Sequence, residues 1–284
     1  MISAAPADDA RPIGVFDSGV GGLSVLAALR ERMPREDFVY FGDMGHAPYG
    51  ERGDDYVAER TLTVARTLID EHRIKALVVA CNTATAAAIH LLRDRWPVLP
   101  VVGLEPALKP AVASTRTGHV AVLATRGTLS SQKFARLRAG MPASVEVRAV
   151  PCDGLASAIE RDDTARVEEL AARYMQAAGP LGDAPGAADV VVLGCTHYPF
   201  ALAALRAHAP AGLRFIDTGV PVAQHTARLL EKVGLLRHAD EEAAGGGENL
   251  PVGKLALLSS AAPEALNAAA ARWLKAPTHT TVHA

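Results

Sequence analysis

Two cysteines carry the chemistry this sequence could do. Cys81 lies in V-V-A-C-N-T-A-T and Cys195 in V-V-L-G-C-T-H-Y-P. Each follows an apolar run, Ala76–Ala80 or Val190–Leu193, that reads as a buried strand, and each is followed at once by an amide or hydroxyl side chain. Open α/β sheets place their ligand sites at the carboxyl ends of such strands. The two contexts are near copies of one another. A thiol on each side of one carbon could remove a proton from one face and return a proton to the other, the logic of racemisation without a cofactor.

The neighbouring residues fit proton chemistry. In Cys81-Asn82-Thr83-Ala84-Thr85 the thiol stands beside an amide and a hydroxyl at a helix start, where a thiol pKa is lowered. In Cys195-Thr196-His197-Tyr198-Pro199 an imidazole stands two residues from the thiol, placed to assist transfer near neutral pH. Asp17-Ser18-Gly19-Val20-Gly21-Gly22 is a glycine-rich turn between a strand and a helix; it is not the dinucleotide pattern G-x-G-x-x-G. Its bland reading is a tight turn in which Asp17 or Ser18 caps the helix. Asp43-Met44-Gly45-His46-Ala47-Pro48-Tyr49-Gly50 is a loop after the second strand, bearing an acid, a His and a Tyr. Glu105, Thr125 and Thr128 also follow strands and fit either substrate contacts or helix caps. Cys152, in V-P-C-D-G, has no hydroxyl or amide beside it and reads as structural.

The elements that would position these groups alternate. Strands are expected at Ile13–Phe16, Asp37–Phe41, Ala76–Ala80 and Val98–Gly103. Helical patterns fall between them at Gly19–Arg30, Gly53–Arg73 and Thr83–Arg95. The rhythm repeats with strands at His119–Ala124, Val145–Ala149 and Val190–Leu193. Its helices are Thr128–Arg138, Asp153–Glu160 and Thr164–Ala177, with a Gly/Pro/Asp-rich loop at Gly179–Ala188. Val220–Val233 and Pro263–Leu274 read as helices and Lys254–Leu258 as an edge strand. The fold class expected is α/β: two similar lobes, each a mostly parallel sheet flanked by helices, with the active site in the cleft between them.

Composition bounds the rest. With 284 residues and 49 % hydrophobic side chains, the chain can bury two cores. A net charge of −2 with scattered basic residues argues against a nucleic-acid partner. No apolar run reaches the ~20 residues of a membrane span, and the acidic N-terminus lacks a signal-peptide core, so the cytoplasm is the expected location. Three cysteines without a C-x-x-C pair suit neither a disulfide framework nor a zinc site. Residues 1–10 read as a disordered leader, and 276–284, with His279 and His283, as a flexible tail rather than a metal site.

Read together, these motifs resemble the glutamate racemases of the aspartate/glutamate racemase superfamily. The matching segments are F-D-S-G-V-G-G-L-S-V (16–25), Y-F-G-D (40–43), P-Y-G (48–50), C-N-T-A-T (81–85), L-A-T-R-G-T (123–128) and L-G-C-T-H-Y-P (193–199). They run in the family's order, across about 11–275. His197 favours glutamate, since aspartate racemases tend to carry an acidic residue there. The resemblance implies interconversion of L- and D-glutamate with no cofactor and no metal, supply of D-glutamate for peptidoglycan, and a bacterial source. It implies that Cys81 and Cys195 are the acid/base thiols, the first acting on D- and the second on L-glutamate, supported by Asp17 and His197 respectively. Asp17, Ser18, Tyr49, Gly50, Asn82, Thr83, Thr196 and His197 match substrate-contact positions. It further implies a homodimer, a first lobe of 11–108 plus 219–275, and a second lobe of 109–218. The sequence departs from the family in its leader, in a Gly-rich insert at 244–247, and in S-S-A-A-P-E (259–264), where relatives carry a T-x-G-D-P-like run.

Three other readings compete. One is a cofactor-free racemase for another amino acid. One is a hydrolase with Cys195 as nucleophile and His197 as base, which leaves Cys81-Asn82-Thr83 without a role. One is a two-lobed amino-acid binding protein, which needs no paired thiols.

Overall fold

A computed structural model describes residues 9–237 and 252–274. Residues 1–8 of the expected leader, the insert at 244–247 and the tail 276–284 lie outside the described residues. Asp9 and Ala10, assigned to the leader on sequence, are held in place. Lys75 Nζ donates to the Asp9 carbonyl at 2.8 Å, and Arg237 Nη2 donates to the Ala10 carbonyl at 3.0 Å.

Among the described residues the strands form two parallel sheets. In the first, β1 (Ile13–Asp17) is flanked by β2 (Phe38–Gly42) and β3 (Ala76–Val79). β4 (Val101–Gly103) and β9 (Leu255–Ser259) close the edges, giving the order β4-β3-β1-β2-β9. In the second, β5 (His119–Ala124), β6 (Glu146–Pro151), β7 (Val190–Leu193) and β8 (Arg214–Ile216) stand in the order β6-β5-β7-β8. Every named pairing is parallel. A parallel sheet covered on both faces must be apolar on both, which is why IGVFD, ALVV and VVVL are fully buried without alternation.

Helices supply the covers. α1 (Leu23–Arg32) and α10 (Gly219–Lys232) pack together on one face of the first sheet with α11 (Pro263–Trp273). α2 (Asp54–Asp70) and α3 (Asn82–Arg95) cover the other face. On the second sheet, α7 (Leu155–Glu160), α8 (Thr164–Ala177) and α9 (Leu202–Ala207) build one core, and α4 (Leu108–Ser114) with α6 (Gln132–Ala139) the opposite one. The chain thus leaves the first sheet after β4, builds the second, and returns through α10 to add β9 beside β2.

Three elements escape the sequence reading: α4, α9 and β8. One helix is divided. The pattern over Thr128–Arg138 folds as α5 (Arg126–Ser130) and α6, because Ser131 is extended (φ −68°, ψ 145°) and its hydroxyl accepts the Phe134 N–H at 3.1 Å. That Ser is an N-cap in mid-pattern, a signal that outranks periodicity.

Candidate active site

Parallel strands deliver their carboxyl ends to one side of each sheet, and the residues after β1, β3, β5 and β7 line one cavity of about 500 Å³, its open mouth included. Ser18, Tyr49, Gly50, Cys81, Asn82 and Thr83 reach it from the first lobe, and Cys195, Thr196 and His197 from the second. Of the residues that the family resemblance assigns to catalysis or substrate contact, all except Asp17 are on its wall; Glu105 and Thr128 are not.

Cys81 caps α3. Its backbone is extended (φ −134°, ψ 121°), and Sγ accepts the Ala84 N–H at 3.4 Å. The thiol is directed to Ser18 Oγ, 3.8 Å away. Burial pushes the Cys81 thiol up to about 12 and the nearby charge of Asp17 adds to the rise, while the Ala84 and Ser18 contacts pull it down. The helix start lowers this pKa, as expected from sequence, but desolvation wins. Cys81 therefore rests as a thiol at neutral pH.

Cys195 stands within 3.6 Å of His197 Nδ1. The other ring nitrogen, Nε2, meets Glu160 Oε1 at the end of α7. Burial opposes a charge on His197, yet Glu160 and Cys195 outweigh it and hold the imidazole well above its usual value. His197 is thus an imidazolium at neutral pH, its orientation fixed from both sides. Glu160 was given no role by the sequence reading; it ends an unremarkable short helix, and only the fold brings it to His197.

Asp17 is fully buried behind the cavity wall. Its Oδ1 accepts the Gly19 N–H at 2.8 Å and its Oδ2 the Thr196 hydroxyl at 3.0 Å. Burial raises the carboxyl to about 6, against the pull of His197 and these donors. Asp17 touches the Cys195 side of the site through Thr196 and acts on Cys81 by charge alone. The capping expectation fails here: the N-cap of α1 is Gly22, with no side-chain cap, because Asp17 is spent on the turn and on Thr196.

The turn owes its glycines to this close approach. A Cβ on Gly19 would fall 1.8 Å from Glu160 Oε1, and one on Gly21 2.3 Å from His197 Nδ1. Side chains there would collide with the second lobe, so the backbone itself forms the contact. Ser24 Oγ closes the seam by donating to the Thr196 carbonyl at 2.9 Å.

Tyr49 lines the cavity, but its hydroxyl is engaged. The hydroxyl donates to Asp43 Oδ2 at 2.6 Å, and Arg60 forks onto the same carboxylate at 3.0 and 3.1 Å. Asp43, the acid of this loop, is committed to that pair. His46 bonds Tyr56 at 2.6 Å, away from the cavity wall. Thr83 Oγ1 lies 3.2 Å from Thr125 Oγ1 across the lobes, and Thr125 caps α5 by accepting the Thr128 N–H at 3.2 Å, so the cap is the one of its two weighed roles that the structure shows. Glu105 pairs with Lys133 at 3.5 Å elsewhere. Asn82 is buried with neither amide atom partnered by protein, and so is free to bind a polar ligand. Cys152, read as structural, packs in the second core as expected but also reaches the cavity wall. Among the described residues no three His, Cys, Asp or Glu side chains converge to hold a metal ion.

Cys195, His197 and Glu160 alone have the geometry of a thiol nucleophile with an oriented base. Cys81 on the facing wall is surplus to that reading. Comparison with known proteins decides. The model of the family described as Asp/Glu/Hydantoin racemase matches residues 22–226. A glutamate racemase of Ralstonia pickettii (strain 12J) is 52 % identical over 226 residues, 79 % of this chain and 78 % of that protein. The crystal structure of a glutamate racemase isoform from Bacillus anthracis superposes with a TM-score of 0.81 at 28 % identity, covering 96 % of this chain and 97 % of that one. An Escherichia coli glutamate racemase, in complex with L-glutamate and the activator UDP-MurNAc-Ala, gives 0.76 at 29 %, covering 96 % and 97 %. With a family match over most of its length and 52 % identity to such a relative over 79 % of its length, the chain belongs to the Asp/Glu/hydantoin racemase family, as an amino-acid racemase of the glutamate racemase group.

Proposed function

We propose that the protein interconverts L- and D-glutamate without a cofactor, through Cys81 and Cys195. The observation that carries this reading is that the two thiols line one cavity from opposite lobes. With the substrate α-carbon between them, one thiolate takes the α-proton and becomes a thiol, while the opposite thiol gives its proton to the other face and becomes the thiolate. The electron pair left by the C–H bond is held by the α-carboxylate until the new C–H bond forms. The enzyme ends with its protonation states exchanged. Cys81 acts on D-glutamate and Cys195 on L-glutamate, the latter exchanging protons with the His197 imidazolium.

A thiolate is a weak base for such a proton, so the carbanion must be stabilised. Asn82, Thr83, Ser18 and Thr196 are the available polar side chains, with Tyr49 and Gly50 closing the site. Preorganised donors in a water-poor cavity contribute roughly 3 kcal/mol each. Asp17 supports the Cys81 half by its charge and the Cys195 half through Thr196. The lobe assignment, 11–108 with 219–275 against 109–218, is part of this reading; it rests on β9 pairing with β2 and α10 packing on α1. The same reading includes a cytoplasmic location, a homodimeric assembly, and supply of D-glutamate to peptidoglycan; among the described residues no helix is long and apolar enough to cross a membrane.

The test is incubation of the purified protein with L-glutamate in D₂O without pyridoxal phosphate. Loss of optical rotation with deuterium at the α-carbon is the expected result, and Cys81→Ser and Cys195→Ser each reduce it to background. Near-wild-type turnover in either variant overturns the two-thiol mechanism.

A further inference from the structure

The mouth of the cavity carries a charge arrangement that the two-thiol chemistry does not use. Three ionisable side chains stand there: Glu51 beside Gly50 on the first lobe, and Arg126 and Asp153 on the second. Deeper in, the other cation on the wall is His197, already paired with Glu160. Two acids at the opening repel a dicarboxylic amino acid, which carries a net negative charge. Arg126 is the group that offsets them. It follows Thr125 directly, so its backbone is fixed where the lobes meet: Thr125 Oγ1 lies 3.2 Å from Thr83 Oγ1, and Gly50 abuts the Thr125 side chain.

Arg126 is held only loosely. Its Nη2 donates to Asp153 Oδ2 at 2.5 Å, with the two side chains 66 % and 49 % exposed. An ion pair that open to water contributes little, so exchanging one carboxylate for another costs little. A guanidinium offers the planar fork that suits a carboxylate, and it keeps its charge at any pH the enzyme meets.

We propose that Arg126 is the substrate-capturing residue of this site: it leaves Asp153 to take the outer carboxylate of the incoming substrate, and Asp153 competes with the substrate for it. The inference rests on the glutamate reading above. It makes Arg126 a positioning residue for dicarboxylic substrates, with Asp153 setting how readily it is released.

The test is the steady-state kinetics of the full-length enzyme with L-glutamate, at low and high salt, for the wild type and for Arg126→Ala, Arg126→Lys and Asp153→Asn. Arg126→Ala raises KM about tenfold with a smaller effect on kcat, and flattens the salt dependence of kcat/KM. Arg126→Lys keeps the salt dependence and recovers part of the KM. Asp153→Asn, which removes the competitor, lowers KM. A merely structural role for Arg126 would leave the salt dependence intact. Wild-type KM and salt dependence in Arg126→Ala, or a raised KM in Asp153→Asn, overturns the proposal while the wild type still racemises glutamate. Absence of glutamate turnover in the wild type overturns the underlying reading, and this proposal with it.

Discussion

The carboxylate of Glu160 crosses from the second lobe to the first and accepts the backbone N–H of Val20 on Oε1 at 2.8 Å. The same oxygen meets Nε2 of His197. One atom therefore ties the glycine turn after β1 to the imidazole beside Cys195, and it is the counter-ion that keeps that imidazole charged.

Glu160→Gln tests this. The amide can still accept from Val20, but it brings no charge. The His197 pKa is expected to fall toward its ordinary value, read from the ring signals by NMR, and turnover to fall by one to two orders of magnitude. Because the pKa of His197 is raised in the folded state, the stability this pairing contributes is fully present below about pH 6.5 and is lost as pH rises through the raised value. The variant should then be destabilised by about 3 kcal/mol near neutrality, with the difference shrinking at alkaline pH. An unshifted His197 would show that Glu160 is not its counter-ion.

Asp17 makes the opposite trade. Its carboxyl is raised to about 6 from an unfolded value of 3.8, so the fold favours the protonated form and loses stability as pH climbs between those values. The loss is about 3 kcal/mol above pH 6. Asp17→Asn removes it while keeping an acceptor for the Gly19 N–H. The variant should melt higher than wild type at pH 8 and equally at pH 4, yet racemise at least tenfold more slowly. The acid limb of kcat/KM near pH 6 should vanish with it. A variant no more stable at pH 8 would mean the buried charge is compensated by more than Thr196 and Gly19.

Sequence sufficed for the two sheets and for both thiols, because fully buried parallel strands are continuous apolar runs and the cysteines sit directly after them. It sufficed for Ser18, Asn82, Thr83 and Thr196 for the same local reason. It failed where the partner comes from elsewhere in the chain. Nothing around Glu160 marks it, since its contact with Val20 is made only by the docking of two lobes and that with His197 only by the packing of α7 near the end of β7 within the second. In sequence Asp43 is simply the acid of a loop that also carries His46 and Tyr49; the Arg60 that commits it stands on α2, and only tertiary structure brings the two together. Short β8 and α9 carry too few residues for a period to show.

Cys81 offers a chemical test of its environment. An ordinary thiol titrates near 9, whereas burial and Asp17 push this one to about 12. At a fixed pH below 9 its thiolate fraction is about a thousandfold lower, and alkylation depends on the thiolate. Iodoacetamide labelling of Cys81, followed by peptide mass spectrometry, should be slow at pH 8 and rise about tenfold per pH unit without levelling before pH 11. Levelling near pH 9 would mean the thiol is better solvated or better hydrogen-bonded than its surroundings indicate. In Asp17→Asn the plateau should move to lower pH, because one source of repulsion is gone.

Gly21 separates positioning from stability. Its φ is outside the left-handed region, so alanine meets no backbone penalty there. The penalty is local: the new methyl falls 2.3 Å from Nδ1 and 2.5 Å from Cε1 of His197, and 2.7 Å from Thr196 Oγ1. The ring is fixed by Glu160 on one nitrogen and Cys195 on the other, so it can move aside only by giving up one of them. Gly21→Ala should therefore fold, with a modest loss of stability of about 1–3 kcal/mol from overpacking, while turnover drops a hundredfold or more. Gly53→Ala is the control, since a methyl there meets nothing within 4 Å. If Gly21→Ala keeps wild-type turnover while the His197 ring signals shift, the contact between His197 and Cys195 is not what readies the second thiol, and the imidazolium serves the site through its charge alone.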